Sequence, residues 1–196
     1  MLILDDARLI ASGEVRHCFE HPADRGLCLK IVHDPGRRKD HRRELKAFTR
    51  IGRRLAGHPR PPVSRYFGPV RTDRGPADAF ELIREPTTGD IAPTLHEVRR
   101  DRLQRPALAD ALNRWRREMR RLMIPFRDAH NRNFVCVRRA AGGFDVVLVD
   151  GVGHSDALPL VDWFPPLMRR KIDRHLRRNR LHTTGSIRIR VGCDPA

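Results

Sequence analysis

The chain is short of lysine, aromatic residues and long apolar runs, and each shortage narrows what it is. No apolar stretch approaches the roughly 18 residues that a membrane-crossing helix needs. Aromatic residues make up 6% of the chain, with a single tyrosine, which disfavours stacking on single-stranded nucleic acid. The four cysteines, Cys18, Cys28, Cys136 and Cys193, form no C-x-x-C pair. Zinc ligation is therefore not expected, and reduced, mostly buried thiols are. The first residues, Met1-Leu2-Ile3-Leu4-Asp5-Asp6, are acidic and unlike a secretory leader, so the expectation is a soluble, cytoplasmic protein.

What is present is a chain of 196 residues, 39% of them hydrophobic, long enough to bury a real core as one unit. Its net charge is +16, and only four of its 40 basic residues are lysines: Lys30, Lys39, Lys46 and Lys171. Such a field attracts anions, among them nucleotides, phosphorylated substrates, acidic lipid headgroups and nucleic acid. Composition competes with that reading, because arginine can simply be the habitual cation of a genome.

The periodicities divide the chain into two parts. Arg8–Ala11 and Val15–Glu20 read as strands around a turn at Ser12-Gly13-Glu14. Leu27–Val32 is an apolar run suited to a buried strand. From Asp40 to about Ala56, Leu45, Phe48, Ile51 and Leu55 recur at spacings of three and four, which predicts a helix with Glu44 at the edge of its apolar stripe. Two strands follow near Arg65–Arg71 and Ala79–Arg84. Glu85–Pro93 is a polar connector suited to a hinge. Leu108, Leu112, Trp115, Met119 and Leu122 predict a second amphipathic helix, closed by Pro125. Strands at Asn133–Val137 and Phe144–Val149 form a hairpin, and a last helix covers Pro166–Arg178. The fold class is α+β, with a five-stranded sheet and one helix in residues 1–85 and a helical part in 86–196.

The densest chemistry lies around that second hairpin. Phe126-Arg127-Asp128-Ala129-His130-Asn131-Arg132-Asn133 places a carboxylate and an amide five residues apart, leading into a strand. Val146-Val147-Leu148-Val149-Asp150-Gly151 then delivers an aspartate at the end of the next strand. Phosphoryl transfer to a hydroxyl needs a carboxylate to orient that hydroxyl and oxygen ligands for Mg²⁺. A protein kinase supplies them in this order and spacing. Asp128 is thus the candidate catalytic residue, and Asn133 with Asp150 the candidate metal ligands. In the first part, Lys30 interrupts a buried apolar strand, a costly position unless it is paired. Glu44 on the next helix is its expected partner. His17, His21, His33 and His41 read as surface or capping histidines, His130 as a phosphate contact or a loop-orienting residue, and Trp115 as core. Trp163 reads as packing, with the wall of a substrate pocket as the alternative, and the arginines of the last helix as a solvated face or an anionic-substrate or membrane-surface patch.

On these residues the sequence resembles the YrbL proteins, described as belonging to the PhoP regulatory network, a compact branch of the kinase-like fold. The resemblance runs through Gly13 to Val32, Arg42 to Leu55, Asn131 to Val137 and Leu158–Trp163. The Asp128–Asn133 block is also similar to the D-L-H-P-G-N loop of aminoglycoside and other small-molecule phosphotransferases. The resemblance implies a minimal protein-kinase-like fold with an ATP cleft between two lobes. It also implies that Gly13 lies in a phosphate-covering loop and that Phe80-Glu81-Leu82-Ile83 takes the place of a strand meeting adenine through the backbone of Glu81 and Leu82. Three departures bear on the activity. The loop at residues 11–16 keeps one glycine, Phe126 stands where kinases have His, and Gly151-Val152-Gly153 replaces Phe-Gly after the aspartate. Little chain remains for a peptide-docking region. The expectation is therefore an ATP- and Mg²⁺-dependent phosphotransferase with a small or anionic hydroxyl-bearing acceptor. The alternative is a catalytically silent nucleotide-binding module. A nucleic-acid or anionic-surface binder comes third.

Overall fold

A computed structural model describes residues 1–5, 7–153 and 165–178. Five strands form one antiparallel sheet: β1 (Leu9–Ser12), β2 (Arg16–Glu20), β3 (Leu27–Val32), β4 (Tyr66–Thr72) and β5 (Gly75–Glu81), in the spatial order β1-β2-β3-β5-β4. Helix α1 (Arg38–Arg54) joins β3 to β4. The rest comprises a one-turn α2 (Leu95–Val98), α3 (Arg105–Arg121), a hairpin of β6 (Phe134–Arg138) and β7 (Phe144–Leu148), and α4 (Pro165–Arg178). The mixed α+β class and the five strands agree with the sequence reading. The Leu158–Trp163 stretch of the resemblance, with Trp163, lies outside the described residues, as does Cys193.

Side-chain alternation gives the sheet two different faces. Phe19, Leu29, Ile31, Ala77 and Ala79 turn to one side and pack with Leu4 into a small apolar core. Cys28 and Phe80 turn to the other and join the main core, built by α1, α3, the hairpin and α4 around Trp115, Phe126, Phe134 and Leu148. Lys30 and Asp78 lie directly opposite each other in the β3–β5 register and belong to this second face. The α1 stripe behaves as its periodicity predicts, since Phe48, Ile51 and Leu55 are buried. It continues backwards through Glu44 and His41, which are buried as well. Trp115 is core, and its indole N–H donates to the Pro62 carbonyl at 2.8 Å.

Backbone bonds seam the two parts together. Val63 bridges Leu148, the Leu148 N–H donates to the Pro62 carbonyl at 2.9 Å, and the Ser64 N–H donates to the Leu148 carbonyl at 3.0 Å. Within the second part, Thr94 bridges Val135 and the Cys136 N–H donates to the Pro93 carbonyl at 2.8 Å. The expected hinge at Glu85–Pro93 is a tight turn, in which the Glu85 N–H donates to the Asp90 carbonyl at 2.9 Å. The Glu85 carboxylate accepts the Arg138 N–H at 3.1 Å, so this connector is pinned to the hairpin.

Candidate functional site

The site lies where β2, β3, α1, the 126–133 loop and the turn after β7 meet. That turn is shaped by Gly151, whose φ is +76°. A Cβ placed there would stand 2.5 Å from the Asp128 carbonyl oxygen, so only glycine lets the two loops close on each other. The Arg127 N–H donates to the Gly151 carbonyl at 2.8 Å, and Phe126 bridges Val152. This pairing brings Asp128 and Asp150 into one region.

Asn133 Nδ2 donates to Asp128 Oδ2 at 2.9 Å. That bond fixes the amide and leaves its Oδ1 as the ligating atom, while Asp128 stays exposed. Lys30 Nζ donates to the Val149 carbonyl at 2.6 Å, beside Asp150, and stands over the Phe80 ring at 4.4 Å. Glu44 Oε1 accepts the Gly151 N–H at 3.0 Å. Its other oxygen takes Arg16 Nη2 at 2.8 Å and Arg127 Nη2 at 3.4 Å. The expected direct ion pair between Lys30 and Glu44 is therefore replaced. Arg16 reaches Glu44 from the first residue of β2, and the lysine turns to the chain beside Asp150.

Arg16 is the residue the sequence reading missed. Its guanidinium bridges Glu44 and Asp150 and meets His41 Nδ1 at 3.3 Å. His41 Nε2 in turn contacts Asp78 Oδ2 at 2.7 Å, and the Tyr66 hydroxyl donates to Asp78 Oδ1 at 2.7 Å. His41 is thus a buried relay residue and not the surface or capping histidine expected. The cue was the α1 stripe itself, which runs back through positions 44 and 41. His21 does cap, accepting the N–H of Ala23 at 3.2 Å and of Asp24 at 3.0 Å. His130 accepts the Arg132 N–H at 3.4 Å and so orients its own loop.

The charges respond to this crowding. Burial pushes the Asp150 carboxyl towards its neutral form, but Lys30 and Arg16 outweigh it and hold the group below the ordinary carboxylate range. Burial and the Asp150 charge push Glu44 the other way, upwards, against Arg16. One of two neighbouring carboxylates is thus held ionised and the other resists ionisation. The Asp150 carboxylate and the amide oxygen of Asn133, whose main-chain carbonyl accepts the Val149 N–H at 2.8 Å, are the donor types a hard cation such as Mg²⁺ takes, one or two protein oxygens plus waters and phosphate oxygens. The donor set fits that ion.

Two expected nucleotide contacts are altered. The Glu81 N–H donates to the Arg65 carbonyl at 2.9 Å and the Leu82 N–H to the Gly26 carbonyl at 2.8 Å. Both N–H groups expected to face adenine are therefore already bonded within the chain. The Gly13 N–H donates to the Arg16 carbonyl at 3.0 Å, closing the hairpin turn.

A family profile described as "PhoP regulatory network protein YrbL" matches residues 2–183. The chain belongs to the YrbL family. It is 30% identical over 182 residues to "Uncharacterized protein YrbL" of Escherichia coli (strain K12), an overlap of 89% of this chain and 84% of the relative. The protein of the same name from Shigella flexneri matches to the same extent. Family membership extends across both parts of the site, from Gly13 and Arg16 to Asp150. Elsewhere, Lys171 on α4 is buried, whereas Arg169, Arg170 and Arg174 are exposed, so the lysine is not part of the basic outer face. A groove of about 670 Å³ between α1 and β4 contains none of the candidate residues. No helix among the described residues is long and apolar enough to cross a membrane.

Proposed function

We propose that this YrbL protein is an ATP- and Mg²⁺-dependent phosphotransferase of minimal kinase-like design, acting on a hydroxyl of a small or anionic acceptor. The supporting observation is the convergence of five side chains, Lys30 from β3, Glu44 from α1, Asp128 and Asn133 from one loop and Asp150 from just past the end of β7, around one turn. In this reading residues 1–85 and 86–196 are two lobes around a nucleotide cleft, and the protein works in the cytoplasm, where ATP is supplied. Mg²⁺, when bound, would supply positive charge that offsets the phosphates. Asp150 and Asn133 are the residues that would hold it. Lys30, fixed beside Asp150, positions the phosphates. Exposed Asp128 orients the acceptor hydroxyl and takes its proton, with its carboxylate aimed by the Asn133 amide. Glu44 ties α1 to the Gly151 turn, and thereby sets the distance between the two halves of the site. The backbone carbonyls of Glu81 and Leu82 are the groups left to meet adenine.

The test is release or transfer of the γ-phosphate of Mg²⁺-ATP to water, to the protein itself or to a metabolite extract. Wild type is expected to give product, and Asp128→Asn is expected to bind ATP without giving any. Equal turnover by the variant would remove Asp128 from its role. A second reading, a nucleotide-binding module without turnover, is favoured by the Gly13 amide being committed to its own turn. It predicts stabilisation by nucleotide with no product.

A further inference from the structure

We propose that Arg16 is a phosphate-binding residue of this site, doing with a guanidinium what a glycine-rich loop does with backbone amides. The inference rests on the nucleotide reading above and adds to it a residue and a mode of binding. A glycine-rich loop holds phosphates because several N–H groups point at them. Here the loop between β1 and β2 has one glycine, and its N–H is bonded to the Arg16 carbonyl at 3.0 Å. The neighbouring Val15 carbonyl is taken by the His33 N–H at 3.1 Å. The amide of the loop's one glycine is thus spent on shaping the hairpin, and the side chain at the loop's end projects into the site.

That side chain is held in advance. Glu44 Oε2 accepts from Nη2 at 2.8 Å, and His41 Nδ1 lies 3.3 Å from Nη1. A guanidinium only donates, so His41 Nδ1 is the acceptor there. The ring proton is therefore on Nε2, where it faces Asp78 Oδ2 at 2.7 Å. Tyr66 secures the far oxygen of Asp78. Four side chains, three of them buried, fix the plane of one arginine. Burying so many polar groups is costly unless each is satisfied, and a fixed donor fork is what recognition of phosphate demands.

The two kinds of partner differ in what a ligand does to them. Glu44 and His41 belong to α1 and serve Arg16 whatever is bound. Asp150 is the partner that a cation would claim. Were Asp150 to hold a cation, the Arg16 Nη2 group that touches it would be freed to donate to an oxygen of the phosphates. Arg16 then exchanges a carboxylate for a phosphate with its two anchors unchanged. Lys30 lies opposite Cys18, two residues along β2 from Arg16, so both cations converge from neighbouring strands.

The test is calorimetric titration of the full chain with Mg²⁺-ATP and, separately, with adenosine, for wild type, Arg16→Gln and Arg16→Lys. Loss of a charge-assisted contact is expected to weaken Mg²⁺-ATP by about tenfold to a hundredfold in Arg16→Gln and to leave adenosine unchanged. Arg16→Lys is expected to recover part of the loss, because charge is kept and the fork is not. Equal affinities for Mg²⁺-ATP in all three proteins would overturn the inference while leaving the nucleotide reading intact. So would tighter binding by Arg16→Gln, the mark of a plug that competes with the ligand. Proportional loss for both ligands would reduce Arg16 to a structural clasp. If Arg16→Gln does not fold, Arg16→Lys decides alone: weaker Mg²⁺-ATP with unchanged adenosine supports the proposal, and unchanged Mg²⁺-ATP overturns it. Wild type binding neither ligand would sink the nucleotide reading itself, and this inference with it.

Discussion

The two faces of the five-stranded sheet are made from alternate residues of the same strands, yet they solve opposite problems. One face carries Phe19, Leu29, Ile31, Ala77 and Ala79 and needs only to be covered, which Leu4 helps to do. The other carries Lys30 and Asp78, both buried, and draws in Arg16, His41, Glu44 and Asp150. Removing apolar area from water stabilises the first face at about 25 cal/mol per Å². The second gains little from burial, because each charged group must recover its lost hydration through partners. A fold that needed only stability would place Val or Leu at positions 30 and 78. Under the proposed function the polar face is kept for binding, and the substitutions that follow separate the two faces.

The largest effect is expected for Glu44→Ala. It strips partners from Arg16, Arg127 and the Gly151 N–H together, and chemical denaturation should register a loss of about 3–5 kcal/mol. Glu44→Gln should cost much less, because it relieves repulsion from Asp150 and Asp150 still holds Arg16. Equal losses for the two variants would mean that the cavity, and not the charges, governs this position.

Next is a pair of adjacent residues on opposite faces. Leu29→Ala is expected to lose about 2–5 kcal/mol of stability and, in the fraction still folded, to bind Mg²⁺-ATP normally. Lys30→Met fills a similar volume and is expected to lose about 1 kcal/mol, from the Val149 carbonyl it leaves unpaired. It should nonetheless abolish nucleotide binding. If both variants changed stability and binding alike, the two faces would not be functionally distinct.

The smallest effect is in the acid limb of stability. The Asp150 carboxyl is held below its ordinary value of 3.8. Its contribution is therefore complete above that pH and is lost as pH falls through the lower folded value. Glu44 has the opposite sign, since its value is raised above 4.5, so ionising it detracts from stability as pH rises past that point. Wild type should consequently lose stability faster than Asp150→Asn on acidification below 3.8. Parallel curves would show that Asp150 is not the charge-stabilised group described.

How much of this was legible in the sequence follows from distance along the chain. Lys30 stands out because it breaks a six-residue apolar strand. Glu44 is visible because helix spacing places it on the buried stripe. Asp128 and Asn133 share one loop, and Asp150 follows a single strand. Arg16 was hidden for two reasons. In a chain this rich in arginine no single one is conspicuous, and its contact with Asp150 spans 134 positions, which no local pattern encodes. Asp78 left a fainter trace, an acid in the buried run Ala77-Asp78-Ala79-Phe80, but its partners Tyr66 and His41 come from other elements. The expected Lys30–Glu44 pair failed for the same reason, because the competing cation lies on a strand that precedes both.

The central claim is that the polar face is a Mg²⁺-nucleotide site, and thermal melting of wild type and Asp150→Ala, with and without Mg²⁺-ATP, tests it most directly. At about a hundredfold excess over Kd, a ligand that binds only the folded state stabilises it by about 2.7 kcal/mol. The account predicts a clear rise in the wild-type melting temperature that needs both Mg²⁺ and ATP and is absent in Asp150→Ala. A wild-type melting temperature unmoved by Mg²⁺-ATP, or a rise of the same size in the variant, would contradict it.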